Sequence, residues 1–331
     1  MSNRVRLSRF PVAQVLAGAA LSAIAAGVQA QSSVQAYGLI DVSAGQFQDA
    51  GGTKDKSVAS GKMSTSYFGF KGTEDLGSGL KANFAIESFL RADSGSAGRF
   101  NGDAFWARNA YVGLAGNFGS LNLGRNTTSL FVSTLIFNAF GDSFGHSPSI
   151  RHYFTSGTVT GDTGWNQSLS YTTPNMGGLT AQLQVAGNDG TLHGRKTGGN
   201  VLYFSGAFAG TVAYQKVKAG TANGTTTSQV GASYDLGAAK LYGQYGKVKN
   251  DTSGMGYKLA ELGVAVPVGA GKLLAEFGQL KPDTGAKRTT ITAGYDYTLS
   301  KRTDVYAVAM SDKKTSVTTG STYAVGVRHK F

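Results

Sequence analysis

Leu80-Lys81-Ala82-Asn83-Phe84-Ala85-Ile86-Glu87 alternates residue by residue. Successive side chains of an extended strand point to opposite faces, so Leu80, Ala82, Phe84 and Ile86 share one face and Lys81, Asn83, Ala85 and Glu87 the other. One face suits an apolar medium and the other water. The same two-sided pattern recurs over residues 34–45, 179–187, 211–218, 240–249, 272–279 and 289–297. Each such stretch is about ten residues long, the length of a strand tilted across a bilayer.

The connections fall into two sets. Tight ones, rich in Gly, Pro, Asn and Asp, are expected at 74–79, 116–119, 174–178, 208–210, 237–239, 267–271 and 299–302. Longer polar ones are expected at 46–62, 91–103, 188–199 and 250–256. Short turns on one rim and long loops on the other are the asymmetry of a membrane barrel. Seven turns and eight loops predict an all-β fold, a transmembrane antiparallel β-barrel of about 16 strands.

Almost forty residues without alternation separate the strand near 120–126 from the strand near 165–173. They contain Leu130, Phe131, Leu135, Ile136, Phe137, Phe140 and Phe144. An exposed loop this apolar is a liability in water. We expect this third surface loop to fold into the barrel and pack on its wall; packing against neighbouring loops or subunits is the alternative.

Composition fits a barrel. With 48 Gly, 5 Pro and a slightly polar mean hydropathy of −0.13, the chain reads as strands with only one apolar face each. It has no cysteine, which removes disulfides, thiolate metal sites and thiol nucleophiles. Beyond residue 30 no run approaches the ~18 apolar residues of a transmembrane helix. Residues 1–30 read as a cleavable signal peptide: Arg4, Arg6 and Arg9, an apolar stretch to Val28, then Val28-Gln29-Ala30. A retained anchor would call for a stop-transfer cluster, and none follows. Cleavage after Ala30 leaves a single domain over 31–331.

The net charge is +12, and removing three arginines with the signal peptide leaves +9. This excess suggests attraction for anions. The Lys and Arg are dispersed and no recognised nucleic-acid motif accompanies them, so no nucleic-acid partner is expected. No Gly-x-Ser-x-Gly elbow, His-Glu-x-x-His pair or phosphate loop appears. Gly269-Ala270-Gly271-Lys272 lacks the remaining elements of such a loop. His146, His152, His193 and His329 are scattered without a ligand set. We therefore expect no enzyme, metal or cofactor. A barrel hydrolase and an adhesin are the rival classes.

In this order along the chain, several fragments resemble the Gram-negative trimeric general porins, particularly their β-proteobacterial branch. They are Ser33-Val34-Gln35-Ala36-Tyr37-Gly38-Leu39-Ile40-Asp41, the hairpin from Gly69 to Ala82, Gly116-Asn117-Phe118-Gly119 with Leu123-Gly124-Arg125, Tyr171-Thr172-Thr173-Pro174-Asn175, and Ser300-Lys301-Arg302-Thr303. The last strand is the most specific piece. Tyr323, Val325, Val327, His329 and Phe331 share a face, and a terminal Phe is similar to the signal read by the barrel-assembly machinery.

The resemblance implies a homotrimer in the outer membrane, in contact with lipid and lipopolysaccharide after Sec-type export. It implies a water-filled channel for passive diffusion of ions and small hydrophilic solutes, with a substrate-specific channel as the alternative. It implies a constriction where wall cations face loop acids. By position the cations are Arg108 on the fourth strand, Arg125 on the fifth and Arg151 after the loop. The acids are Asp142 at the loop tip and Glu87 on the polar face of the third strand. Tyr67 stands where relatives often carry arginine, which weakens the cationic cluster. Mild anion selectivity is the resulting expectation.

Overall fold

The computed structural model describes residues 33–188 and 192–331. The signal peptide expected at 1–30 lies outside the described residues. Sixteen antiparallel wall strands form a closed barrel: β1 (Ser33–Phe47), β2 (Tyr67–Gly77), β3 (Leu80–Arg91), β4 (Asn109–Gly116), β5 (Gly119–Thr127), β6 (Gly164–Thr172), β7 (Leu179–Ala186), β8 (His193–Ser205), β9 (Phe208–Ala219), β10 (Thr225–Asp235), β11 (Lys240–Asn250), β12 (Gly256–Val268), β13 (Gly271–Pro282), β14 (Arg288–Thr298), β15 (Thr303–Lys314) and β16 (Gly320–Lys330). Two further short strands lie in loops: Asp55–Ser60, which pairs with the upper half of β1, and Ser96–Ala97.

The expected alternation is visible in burial. On β11, Gln244, Gly246 and Val248 are buried between exposed Tyr245, Lys247 and Lys249. Outward apolar side chains such as Leu262 (67% exposed), Val212 (60%) and Ile291 (52%) lie open to the surroundings on different strands, a belt that lipid would cover. Aromatic side chains gather at the short-turn rim, among them Phe118, Phe204, Phe208, Tyr234, Tyr297 and Phe331. Tyr171 and Tyr295 there donate hydroxyl hydrogen bonds to the carbonyls of Phe118 and Val268. An apolar ring with a polar tip suits a membrane–water interface.

Several boundaries differ from the sequence reading, two of them at the ends of β8. The turn expected at 208–210 sits at Gly206 and Ala207, because Gly206 adopts the left-handed φ of 55° that the turn needs. Gly210 is inside β9, with the Phe208 ring against its bare face. The loop expected at 188–199 is shorter, since β8 already pairs with β9 from His193 onward.

Closure is made by β1 and β16, paired from Leu39↔Lys330 to Gln46↔Tyr323. Gly38 and Phe331 extend the ladder by exchanging two backbone hydrogen bonds of 3.2 Å. A Cβ at Gly38 would lie 2.5 Å from Phe331 Cζ, so the terminal ring covers a position only glycine leaves open.

The segment 128–163 folds into the barrel. Its helix α1 (Ser129–Ile136) starts at Thr128, whose hydroxyl accepts from the Phe131 N–H. A helical turn, Pro148–Ile150, runs into a π-helical turn, Arg151–Thr155. Leu130, Tyr153 and Val159 pack with Ala213, Val248, Leu259 and Leu280 of the inner wall. Burying Leu130 alone contributes roughly 1.5–3 kcal/mol.

Inward glycines of successive strands make room for this segment. Gly246 receives Tyr153 and Gly278 receives Pro148, at positions where a Cβ would lie 1.7 Å from the Tyr153 hydroxyl and 2.5 Å from Pro148 Cβ. Gly231, Gly263 and Gly294 face Phe137, Ala139 and Phe140 in the same way. Hydrogen bonds supply the register. Gln244 and Gln229 donate to Thr134, Asn200 donates to the Ser129 carbonyl, and Ser149 donates to Glu276 at 2.7 Å.

Removing Phe331 opens the covered end of the β1–β16 seam while leaving most of the ladder. We expect membrane-inserted yield to fall sharply, while the protein that does fold keeps its heat-modifiable gel mobility. Quantitative blotting of unboiled membrane fractions checks this, and an unchanged yield would contradict it.

Candidate functional site: the lumen wall and the infolded loop

Facing the lumen, β1 to β4 bring together Tyr37, Tyr67, Lys71, Glu87 and Arg108. Arg108 lies one residue before β4, with its N–H bonded to the Glu87 carbonyl at 3.2 Å. Its guanidinium pairs with the Glu87 carboxylate at 2.6 Å and stacks over the Tyr67 ring at 3.9 Å. Asn109 donates to the other Glu87 oxygen, and the Tyr37 hydroxyl also donates to Glu87. Tyr37 meets Tyr67 edge-on at 6.1 Å, and Lys71 sits 4.6 Å above Tyr37. The result is a ladder of two cations and two rings. Exposure decides which charge water meets: the Arg108 side chain is 31% exposed and that of Glu87 only 4%. Tyr67 thus supports a cation that reaches it from the start of β4, two strands away, in the position where arginine was the expected residue.

Asp142, at the tip of the infolded loop, accepts from Ser64 at 2.9 Å. Ser64 in turn receives Arg328 of β16, which pairs with Asp296 and Asp304, each at 2.7 Å. Asp41 is fully buried and fixes the adjoining turn, accepting from the Met63 and Ser64 N–H groups and from Tyr306.

The other two arginines are placed differently from expectation. Arg151 is on the infolded loop itself, not on a wall strand. It pairs with Asp49 at 2.6 Å and Asp312 at 3.2 Å, tying the loop to the first loop and to β15. Its side chain helps line a cavity of about 590 Å3 at the long-loop end, together with Lys62, Arg91, Arg288, Asp49 and Phe144. Arg125 is on β5, but the strand register breaks between Gly124 and Asn126. It stands opposite Ala110, on the side that carries outward Val112 and Leu123. Its guanidinium is held by the Ala107 carbonyl, Asn166 and Asp162, at the base of the second and third loops. Of the three arginines, then, Arg108 joins Glu87 and Tyr67, whereas Arg125 and Arg151 bond elsewhere.

Sequence reading missed Tyr37, Lys71 and Arg328 as members of the lumen lining. Parity was the available signal: Tyr37 and Lys71 share the inward face with Tyr67, and Arg328 the polar face of the last strand. Among the described residues no cluster of three or more metal-ligating side chains occurs.

A closed barrel of sixteen strands, narrowed by an infolded loop and lined by charged side chains, defines the class of transmembrane channel barrels. Comparison places it further: the chain belongs to the Gram-negative porin family, which it matches over residues 17–316. It is 34% identical to outer membrane porin protein 32 of Delftia acidovorans, over 93% of both chains. It is 27% identical to an outer membrane porin protein of Bordetella pertussis, over 96% of this chain and 99% of that one. Among solved structures it is similar to an anion-selective porin from Comamonas acidovorans, with a TM-score of 0.79, 29% identity, and 91% and 100% of the two chains covered.

Acid should loosen the docked loop. Burial, with Arg151 and Lys62 nearby, pushes His146 down to about 3; burial, with Arg288 and Arg151, does the same to His152. Both imidazoles are neutral when folded, whereas the unfolded chain takes up their protons near pH 6.5. Their contribution is therefore full above about 6.5 and lost progressively toward pH 3. Asp162, held at about 2 by the Arg99 and Arg125 guanidiniums against the cost of burial, weakens folding only below about pH 4. We expect the Tm of the folded protein in detergent to fall between pH 7 and 4, and to fall less in His146→Gln. An equal decline in both would remove His146 from the effect.

Proposed function

We propose that this porin is a general diffusion channel of the outer membrane, passing ions and small hydrophilic solutes with mild anion preference. The observation that carries the preference is the Arg108–Glu87 pair, in which the cation faces water and the acid is buried. Arg91 and Lys62 around the cavity at the long-loop end add to the positive lining. The narrow passage between this wall and Asp142 on the loop sets opposed charges across water, which favours polar over apolar solutes. Asp142, Glu87 and Tyr67 complete the proposed constriction. Weak contacts of this kind let a solute leave as readily as it binds. The Comamonas relative described as anion-selective supports the same sign.

On this reading the chain is exported by the Sec route on a signal peptide ending at Ala30, and residues 31–331 form the mature domain. The barrel-assembly machinery recognises its last strand, with Tyr323, Val325, Val327 and Phe331 outward. It assembles as a homotrimer of the β-proteobacterial type among lipid and lipopolysaccharide, and works as a channel rather than a catalyst.

Purified protein in a planar bilayer is expected to give stable ohmic steps without added ligand. A tight, saturable block by one sugar or amino acid would favour a substrate-specific channel instead. In a KCl gradient, Arg108→Ala should shift the reversal potential toward cations and Glu87→Gln toward anions. Both shifts should shrink as salt rises, because the Debye length is only ~10 Å at 0.1 M. Cation preference in the wild type would refute the assignment. Mass measurement in mild detergent should give three copies, and a monomer at all concentrations would refute the trimer.

A further inference from the structure

A group of lysines that the lumen does not use stands on the outside of the barrel. Lys247 of β11 is directly opposite Lys258 of β12, and Lys258 is directly opposite Lys281 of β13. All three are exposed, and each points outward beside a buried inward neighbour: Val248, Leu259 and Leu280. One step nearer the long loops, Lys249 and Lys216 flank Thr226 of β10. Among the described residues, no carboxylate occupies an outward position on β11, β12 or β13, since Glu261 and Glu276 both point inward and are buried.

Like charges directly across a strand pair repel, so this row opposes sheet formation unless an anion lies over it. Its height on the wall is informative. Two to four residues further toward the short-turn rim, the same outward face carries Tyr245, Leu262 and Phe277, which belong to the apolar belt. The lysines therefore crown that belt at the long-loop end, the extracellular side of a barrel with short periplasmic turns. Head groups of the outer leaflet lie at that level. A second copy meeting this face through a two-fold contact is a poor occupant, because it would bring lysine rows together.

We propose that Lys247, Lys258 and Lys281 form a docking surface for the phosphate groups of lipopolysaccharide in the outer leaflet. The proposal rests on the outer-membrane placement given above and deepens it by naming the residues. The lysine ammonium groups take the lipid phosphates, while Tyr245, Leu262 and Phe277 lie against the acyl chains below. Lysine suits this role as a point charge on a flexible stem that follows a mobile anion.

The test compares binding of purified lipopolysaccharide to folded wild type and to Lys247→Ser/Lys258→Ser/Lys281→Ser in detergent, by native mass spectrometry. A control removes the same charge at the short-turn end, as Lys240→Ser/Lys272→Ser/Lys301→Ser. Single-channel conductance of each protein confirms an intact pore, so failure here would sink this surface without touching the channel reading. We expect binding to weaken at least about tenfold in the first variant, to persist in the control, and to be lost with dephosphorylated lipopolysaccharide. Equal binding by the first variant and wild type would overturn the proposal. So would an equal loss in the control, or competition by inorganic phosphate or phosphatidylglycerol vesicles as effective as that by lipopolysaccharide. A change of oligomeric mass in the first variant would reassign the row to a subunit contact.

Discussion

Every backbone N–H and C=O of a strand in hydrocarbon must find a partner, and an open sheet always leaves two edges without one. The pairing of β1 with β16 removes both edges at once. Once the sheet is closed, the outward face of each strand belongs to lipid and the inward face to water. Closure also encloses a lumen with a wall on all sides, and only such a wall can receive a loop from above. The docked segment 128–163, the Arg108 ladder and the outward lysine row all depend on that separation of faces.

The lumen is shaped by subtraction as much as by addition. Buried polar groups such as Gln229, Gln244, Glu276 and Thr292 fix where the loop sits by bonding to it. The glycines at 231, 246, 263, 278 and 294 decide how close it comes, because each withholds a side chain where the loop presses. The opposite wall retains its long side chains and faces the remaining water. There the Glu87 carboxylate is satisfied by three neighbours and shielded, while Arg108 is left partly open. Which member of an ion pair meets water decides the sign a passing ion meets first.

Much of this was legible in the sequence for a simple reason. A strand with lipid on one side and water on the other writes period-two alternation, and Leu80 to Glu87 shows it plainly. The number of strands followed from counting turns. Placement in the loops was not legible, because an irregular segment carries no period: nothing near Arg151 distinguishes a loop residue reaching Asp49 and Asp312 from a wall residue. Arg125 was legible by parity, since it shares its face with outward Leu123; the family resemblance, not the alternation, put it in the lumen. The glycine stripe and the facing lysines are properties of register between strands, so they emerge only when 231 is known to lie near 246 in space, and 247 beside 258.

The central claim is that the inward face is wet and continuous with the conducting path while the outward face is not. The chain has no cysteine, so single cysteines can report on each face. Tyr67→Cys and Leu262→Cys, reconstituted in bilayers and exposed to a membrane-impermeant charged thiol reagent, give the most direct test. The account predicts that Tyr67→Cys reacts and that single-channel conductance drops in discrete steps, while Leu262→Cys stays unreactive with conductance unchanged. Rapid modification of Leu262→Cys, or full modification of Tyr67→Cys with no change in conductance, would contradict it.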